Sequence, residues 1–197
     1  MNTKLRLYFS DKIQSDLVAH LKKEQSHYLK DVMRLKIGDS FSIFNGQGEW
    51  NASIESYEKE GARIKILHKL RDKENEQNIW LAFTPIKQNP LNFIIQKATE
   101  LGVQKFIPIL SERTMVKDIN IERVKKIIVE SSEQSNRISI PEINNLEPLK
   151  FFLSNFPKNG CLVFCDINCN KSDLKNILSK KDLGPICILI GPEGDFS

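Results

Sequence analysis

Two hydrophobic rhythms divide the chain. Over residues 5–9, Leu-Arg-Leu-Tyr-Phe alternates polar and apolar positions. Residues 40–44, Ser-Phe-Ser-Ile-Phe, do so more clearly, with Phe41 and Ile43 on one face. The turn Asn45-Gly46-Gln47-Gly48 leads into a strand predicted over 49–57, and Glu58-Lys59-Glu60-Gly61 closes a hairpin into another over 62–67. One short helix is predicted near 25–34. Several short strands with glycine turns in so few residues point to a small barrel.

Residues 71–78, Arg-Asp-Lys-Glu-Asn-Glu-Gln-Asn, form a polar run that reads as a linker, and the rhythm changes after it. The expected division is a domain over 1–72, a linker over 73–78 and a second domain over 79–197. Ile79-Trp80-Leu81-Ala82-Phe83 is continuously apolar, as in a strand buried on both faces. Pro90 suits the first turn of a helix running to Leu101, and Gly102 stands where a glycine ends it. Residues 106–110 make a second strand, with Pro108 suggesting a strand end or edge. Asn120 caps a helix whose apolar positions are Ile121, Val124, Ile127, Ile128 and Ser131. A short helix near 147–153, a strand over 161–165, a helix over 172–179 and a strand over 186–190 complete an α/β unit with a mostly parallel sheet.

Length and composition agree with this layout. The chain has 197 residues, 40% hydrophobic and 27% charged, room for one large or two small globular domains. No run approaches the roughly 20 apolar residues that span a bilayer, and the first residues enter no apolar signal region, so a cytoplasmic protein is expected. Residues 1–72 carry 13 Lys/Arg against 10 Asp/Glu, and residues 73–197 carry 16 against 15. The basic excess lies in the first third, where a polyanion can dock, although a solvated surface also accounts for it.

Four cysteines, Cys161, Cys165, Cys169 and Cys187, lack the C-x-x-C spacing of a zinc knuckle, and Cys161 and Cys165 read as small apolar residues of a buried strand. His20, His27 and His68 have no Ser, Cys or Asp partner nearby in sequence, which disfavours a histidine triad. The motifs of dinucleotide, P-loop and nucleophile-elbow sites are absent. What remains is a buried strand running into Gly191-Pro192-Glu193-Gly194 at the carboxyl edge of a sheet, where ligands of open α/β folds bind. Two polar clusters accompany it, 111–114 (Ser-Glu-Arg-Thr) and 130–137 (Glu-Ser-Ser-Glu-Gln-Ser-Asn-Arg). The second also fits a solvated helix end with an i,i+4 pair of Glu133 and Arg137.

Taken together, these segments resemble a family. Ile95-Gln96-Lys97-Ala98-Thr99-Glu100-Leu101-Gly102-Val103, Pro108, the 111–114 cluster, Glu133-Gln134-Ser135-Asn136-Arg137 with Pro141, and Leu189-Ile190-Gly191-Pro192-Glu193-Gly194 stand in the order seen in RsmE. These are the small-subunit ribosomal RNA uridine-N3 methyltransferases of the SPOUT class. Arg6 with Tyr8-Phe9, His27-Tyr28-Leu29, Val32-Met33-Arg34 and Gly38-Asp39 resemble the family's PUA-like barrel.

The resemblance implies an RNA-binding PUA-like β-barrel followed by an α/β SPOUT domain with a trefoil knot. It implies S-adenosyl-L-methionine as cofactor, N3 of a uridine in 16S ribosomal RNA as methyl acceptor, a homodimer, and no metal. Ile190, Gly191, Pro192, Glu193 and Gly194 would hold the cofactor, and Arg6 and Arg34 would contact RNA. Arg113 and Arg137 would sit in the cleft, with Glu133 holding Arg137 or accepting a proton; an ion pair or helix cap accounts for these side chains equally well. Asp195 stands where the family usually has a glycine. Family members continue beyond this point with a Leu-Gly-x-x-Ile-Leu-Arg-x-Glu-Thr-Ala run, so the expectation is a C-terminally shortened methyltransferase of weak or no activity. The alternatives are an inactive remnant that only binds RNA and a generic nucleotide-binding α/β protein.

Overall fold

A computed structural model describes residues 5–164 and 184–192. The helix expected over 172–179, Cys165 and Cys169, and the loop at Glu193 and Gly194 around which the knot is expected lie outside the described residues. The chain forms two compact units, one of Met1–Asn75 with Ser132–Ile140, the other of Glu76–Ser131 with Pro141–Ser197.

The first unit is a five-stranded sheet in the order β1-β3-β4-β5-β2. Its strands are β1 (Arg6–Tyr8), β2 (Val18–His20), β3 (Ser40–Phe44), β4 (Gly48–Tyr57) and β5 (Ala62–Asp72). Only the β1–β3 pairing is parallel. Between β2 and β3 lies α1 (Lys23–His27), which runs into a π-helical turn over Tyr28–Val32. Alternation supplies the core: Phe41, Ile43, Ile54, Ile64, Ile66 and Leu29 are fully buried. β3 departs from the expected one-sided burial, because Ser42 and Phe44 are buried as well. On that other face Arg6 lies over the Phe44 ring, 4.5 Å from its centroid, and Tyr8 packs at 5.9 Å. The polar run over 71–78 begins inside β5, since Arg71 and Asp72 still pair with Glu49 and Gly48.

Among the described residues the second unit is a six-stranded sheet of parallel pairings. Among these residues its strands are β6 (Ile79–Phe83), β7 (Lys105–Leu110), β8 (Glu142–Ile143), β9 (Glu147–Pro148), β10 (Cys161–Phe164) and β11 (Ile186–Ile190), and its helices are α2 (Gln88–Glu100), α4 (Leu149–Asn155) and α3 (Ile121–Gln134), whose last three residues, from Ser132, belong to the first unit. The spatial order is β10-β11-β6-β7-β8, with β9 also on β7. α2 ends as its sequence indicates: Gly102 takes φ +98°, its N–H donates to Thr99 O at 3.1 Å, and Val103 N–H donates to Ala98 O at 3.0 Å. Asn120 caps α3, its Oδ1 accepting from Arg123 N at 3.0 Å.

Three details differ from the sequence reading. Pro108 is not on an edge strand: β6 and β8 flank β7. It falls at a break in the ladder, where β8 stops opposite Phe106 and β9 starts opposite Ile109, so no N–H is needed. The segment at 147–153 begins as strand β9 before α4. β10 is half-buried rather than a core strand, with Phe164 50% exposed, because it forms the edge of the described sheet. Cys187, by contrast, is fully buried in β11, and burial pushes its thiol pKa up to about 12, the state of an inert apolar side chain. No helix among the described residues is long and apolar enough to cross a membrane.

Gly61 offers a test of the first unit. It takes φ +148°, and a Cβ built there would stand 2.2 Å from Leu21 O. Gly61→Ala therefore forces the hairpin off Leu21 and lowers unfolding free energy by about 2 kcal/mol or more, read from urea midpoints.

Candidate active site

Strand direction places the first group of residues. In the second unit the chain leaves β6 for β7 on one side, and β11 returns on the other. β6 and β11 therefore form the topological switch point of the sheet, the place where open α/β folds open a crevice at their carboxyl edge. At that edge Thr84 follows β6 and Gly191-Pro192 follow β11. The two ends are tied together, Thr84 N–H donating to Ile190 O at 3.2 Å. Ile190 is half-exposed, and Gly191 and Pro192 are partly exposed. Thr84 is 2% exposed, and its Oγ1 has no hydrogen-bond partner among the described residues.

The loop after β7 leaves by the same edge, since β7 runs parallel to β6. Its first turn is locked by Thr114, which is 4% exposed: Ser111 N–H donates to Thr114 Oγ1 at 2.9 Å and Thr114 N–H to Ser111 O at 3.2 Å. That closed turn leaves Glu112 and Arg113 exposed at its tip. The structure thus brings Ile190, Gly191, Pro192 and the Arg113 turn to one edge of one sheet. Glu193 and Gly194 lie outside the described residues.

Arg6, Glu133 and Arg137 form a second group, in the first unit. Glu49, 5% exposed on β4, is held between two guanidinium groups, by Arg6 Nε at 3.0 Å and Arg71 Nε at 2.7 Å. Arg6 then donates to the carbonyls of Ser132 at 3.2 Å, Glu133 at 3.1 Å and Arg137 at 2.6 Å. Arg71 donates to Asn136 O at 2.7 Å and Oδ1 at 2.9 Å. α3 has no basic residue in its own last turn, so Arg6 caps its carboxyl end from 126 residues away in sequence. The Glu133 carboxylate accepts Tyr8 N–H at 2.8 Å, and Arg137, 8% exposed, donates to Ser139 Oγ at 2.9 Å.

Glu133 and Arg137 do not lie on one helix. α3 ends at Gln134, and Asn136 takes φ +64°, so the two residues no longer share a helical face. Arg34 stands apart from this cluster. It is exposed in the left-handed region, φ +56°, after the π-helical turn, beside exposed Lys36 and the exposed apolar side chains of Val32, Met33 and Ile37.

Sequence reasoning missed Glu49, Arg71 and Thr84. A carboxylate at a strand position whose neighbours alternate inward, and a hydroxyl closing an apolar run before a proline, were the available signals.

Both groups sit in a chain whose relatives are known. Residues 73–197 match the family described as an RNA methyltransferase domain, and residues 21–67 match the RNA methyltransferase PUA domain. The chain is 31% identical to the ribosomal RNA small subunit methyltransferase E of Rickettsia conorii, over 98% of this chain and 79% of that one. It is 32% identical to the protein of the same name from Buchnera aphidicola of Schizaphis graminum, over 98% and 80%. Among solved structures it is similar to ribosomal RNA small subunit methyltransferase E from Neisseria gonorrhoeae bound to S-adenosyl methionine. That match has a TM-score of 0.86 at 26% identity and covers 98% of this chain and 81% of that one. A methyltransferase from Legionella pneumophila in complex with the same cofactor gives 0.84 at 27% identity, covering 100% and 83%. The class is therefore a two-part RNA methyltransferase, a PUA domain joined to a methyltransferase domain of SPOUT type. Within that class the chain belongs to the ribosomal RNA small subunit methyltransferase E family.

The residues at the switch point suit a polar cofactor of this kind. A glycine lets the main chain approach a ligand, and the buried Thr84 hydroxyl, without a partner among the described residues, can take one from a ligand.

The Glu49 cluster gives a pH prediction. Burial alone raises the pKa of Glu49, but hydrogen bonds and charges from Arg6 and Arg71 outweigh it and hold the carboxyl below its ordinary value. Its contribution to stability is then complete above the unfolded carboxylate pKa of about 4.3 and is lost as pH falls through the lower folded value. Glu49→Gln lowers the unfolding free energy at pH 7 by about 3 kcal/mol, and the gap to the parent narrows as pH falls below 4, read from urea titrations.

Proposed function

We propose that the protein transfers the methyl group of S-adenosyl-L-methionine to N3 of a uridine in 16S ribosomal RNA, in the cytoplasm and as a homodimer. Family membership supports ribosomal RNA methylation with this cofactor. The observation in the molecule that carries the reading is the switch point at Thr84 and Ile190–Gly191, with a buried hydroxyl that has no partner among the described residues. When bound, S-adenosyl-L-methionine supplies an electrophilic methyl group on a sulfonium.

The chain's own residues supply position and charge. Ile190, Gly191, Pro192, Glu193 and Gly194 are proposed to hold the cofactor through their main-chain groups. Arg113, exposed on its locked turn at the same sheet edge, is proposed to orient the RNA and to favour the ionised uracil, since a guanidinium stays charged and offers a planar fork of donors. Arg34, exposed among lysines and apolar side chains, is proposed to contact phosphate or an unstacked base. Arg6 has a different part. Its hydrogen bonds go to Glu49 and to three backbone carbonyls, so it acts on RNA through the segment it holds. Glu133 and Arg137 belong to that segment and are engaged by Tyr8 and Ser139, and we assign them to keeping it in shape. Phe93 and Phe151, each more than half exposed on α2 and α4, are side chains a second copy would cover.

The reading is tested with methyl-labelled S-adenosyl-L-methionine and small ribosomal subunits that lack the modification. N3-methyluridine in the digested 16S RNA is the expected product, and label on any other atom overturns the assignment. Arg113→Ala lowers kcat/KM about 10²-fold. Arg34→Ala weakens RNA binding severalfold and reduces the salt slope of log K by about 1.

A further inference from the structure

We infer that the Thr84 hydroxyl is a hydrogen-bonding contact for the cofactor, a role resting on the methyltransferase reading above. Three observations carry it. Thr84 is the first residue after the central strand β6, and its own N–H is bonded to Ile190 O, so the side chain is anchored beside the start of the Gly191 loop. It is 2% exposed, which denies the hydroxyl bulk water. Its Oγ1 nonetheless has no partner among the described residues, although a threonine hydroxyl ordinarily finds a carbonyl one helical turn or one strand away.

A structural explanation for the hydroxyl would need such a partner. Ser131 shows such a solution, its buried Oγ donating to Ile127 O at 2.6 Å. Valine has the same shape as threonine and better strand propensity, so packing alone does not call for Thr84 here. A ligand group supplies what is missing. The hydroxyl offers one donor and two acceptor positions, which suits the amine, carboxylate, ribose or adenine nitrogens of S-adenosyl-L-methionine.

The test measures S-adenosylhomocysteine binding by calorimetry in the parent chain, Thr84→Val and Thr84→Ser. Thr84→Val is expected to bind about threefold to tenfold more weakly, and Thr84→Ser within about twofold of the parent. The ligand-free Thr84→Val protein is expected to melt at or above the parent temperature, because an unpaired buried hydroxyl has been removed. Unchanged affinity in Thr84→Val overturns the inference and leaves the methyltransferase reading standing. Unchanged cofactor affinity with weakened binding of uridine-containing RNA moves the hydroxyl to the substrate and likewise overturns it. A parent chain that does not bind S-adenosylhomocysteine overturns the reading, and the inference falls with it. Should Thr84→Val fail to fold, Thr84→Ala set against Thr84→Ser gives the same comparison.

Discussion

Glu49 is the charge around which the first unit is organised. A lone carboxylate buried to this degree would cost several kcal/mol, so it is tolerable only between Arg6 and Arg71. Those two guanidiniums carry more donors than one carboxylate can accept. The surplus goes to the carbonyls of Ser132, Glu133, Asn136 and Arg137. One buried acid thereby fixes the backbone of a segment more than 80 residues further along the chain. The end of α3, the left-handed turn at Asn136 and the Glu133 carboxylate on Tyr8 N–H all follow from that arrangement. Phe44 contributes too, since its ring lies under Arg6 and keeps the guanidinium in a poorly hydrated place where its hydrogen bonds count for more.

The second unit depends on a geometric constraint instead of a charge. Parallel strands send all their following loops to one edge, and a chain that builds outward from β6 in both directions leaves its crevice beside β6. Residues far apart in sequence, Thr84, Arg113 and Gly191, are carried to that one edge by the strands they follow. The sheet supplies the position. The continuous apolar runs of β6 and β11, with Ala82 and Cys187 wholly buried, supply the sheet's rigidity.

Legibility followed the physics. Long elements with strong periodicity were readable: β3, β4, α2 with its glycine stop, α3 with its Asn120 cap, β6 and β11. Very short strands were not, because Val18–His20, Glu142–Ile143 and Glu147–Pro148 are defined by their partners and carry too few residues to show a period. The switch-point residues Ile190, Gly191 and Pro192 were readable as a strand running into glycine. The Glu49 cluster was invisible because its contacts span 22 to 131 residues. The helix end between Glu133 and Arg137 was not legible either. The spacing was right for a helix, but the helix had already ended.

The two units therefore hold buried polar groups of opposite character, and the contrast separates structure from function. Glu49 is buried and its acceptors are engaged, the pattern of a group kept for folding. Thr84 is equally buried and its hydroxyl has no partner among the described residues, a state that costs about 1–3 kcal/mol. Folding has no use for that cost, since valine would avoid it without changing the shape of the strand end. A group left in debt at the one place where strand topology opens a crevice is stabilised only when something else enters that crevice. Burial alone would rank the two residues together; the state of their hydrogen bonds distinguishes the group that closes one unit from the group that waits for a ligand in the other.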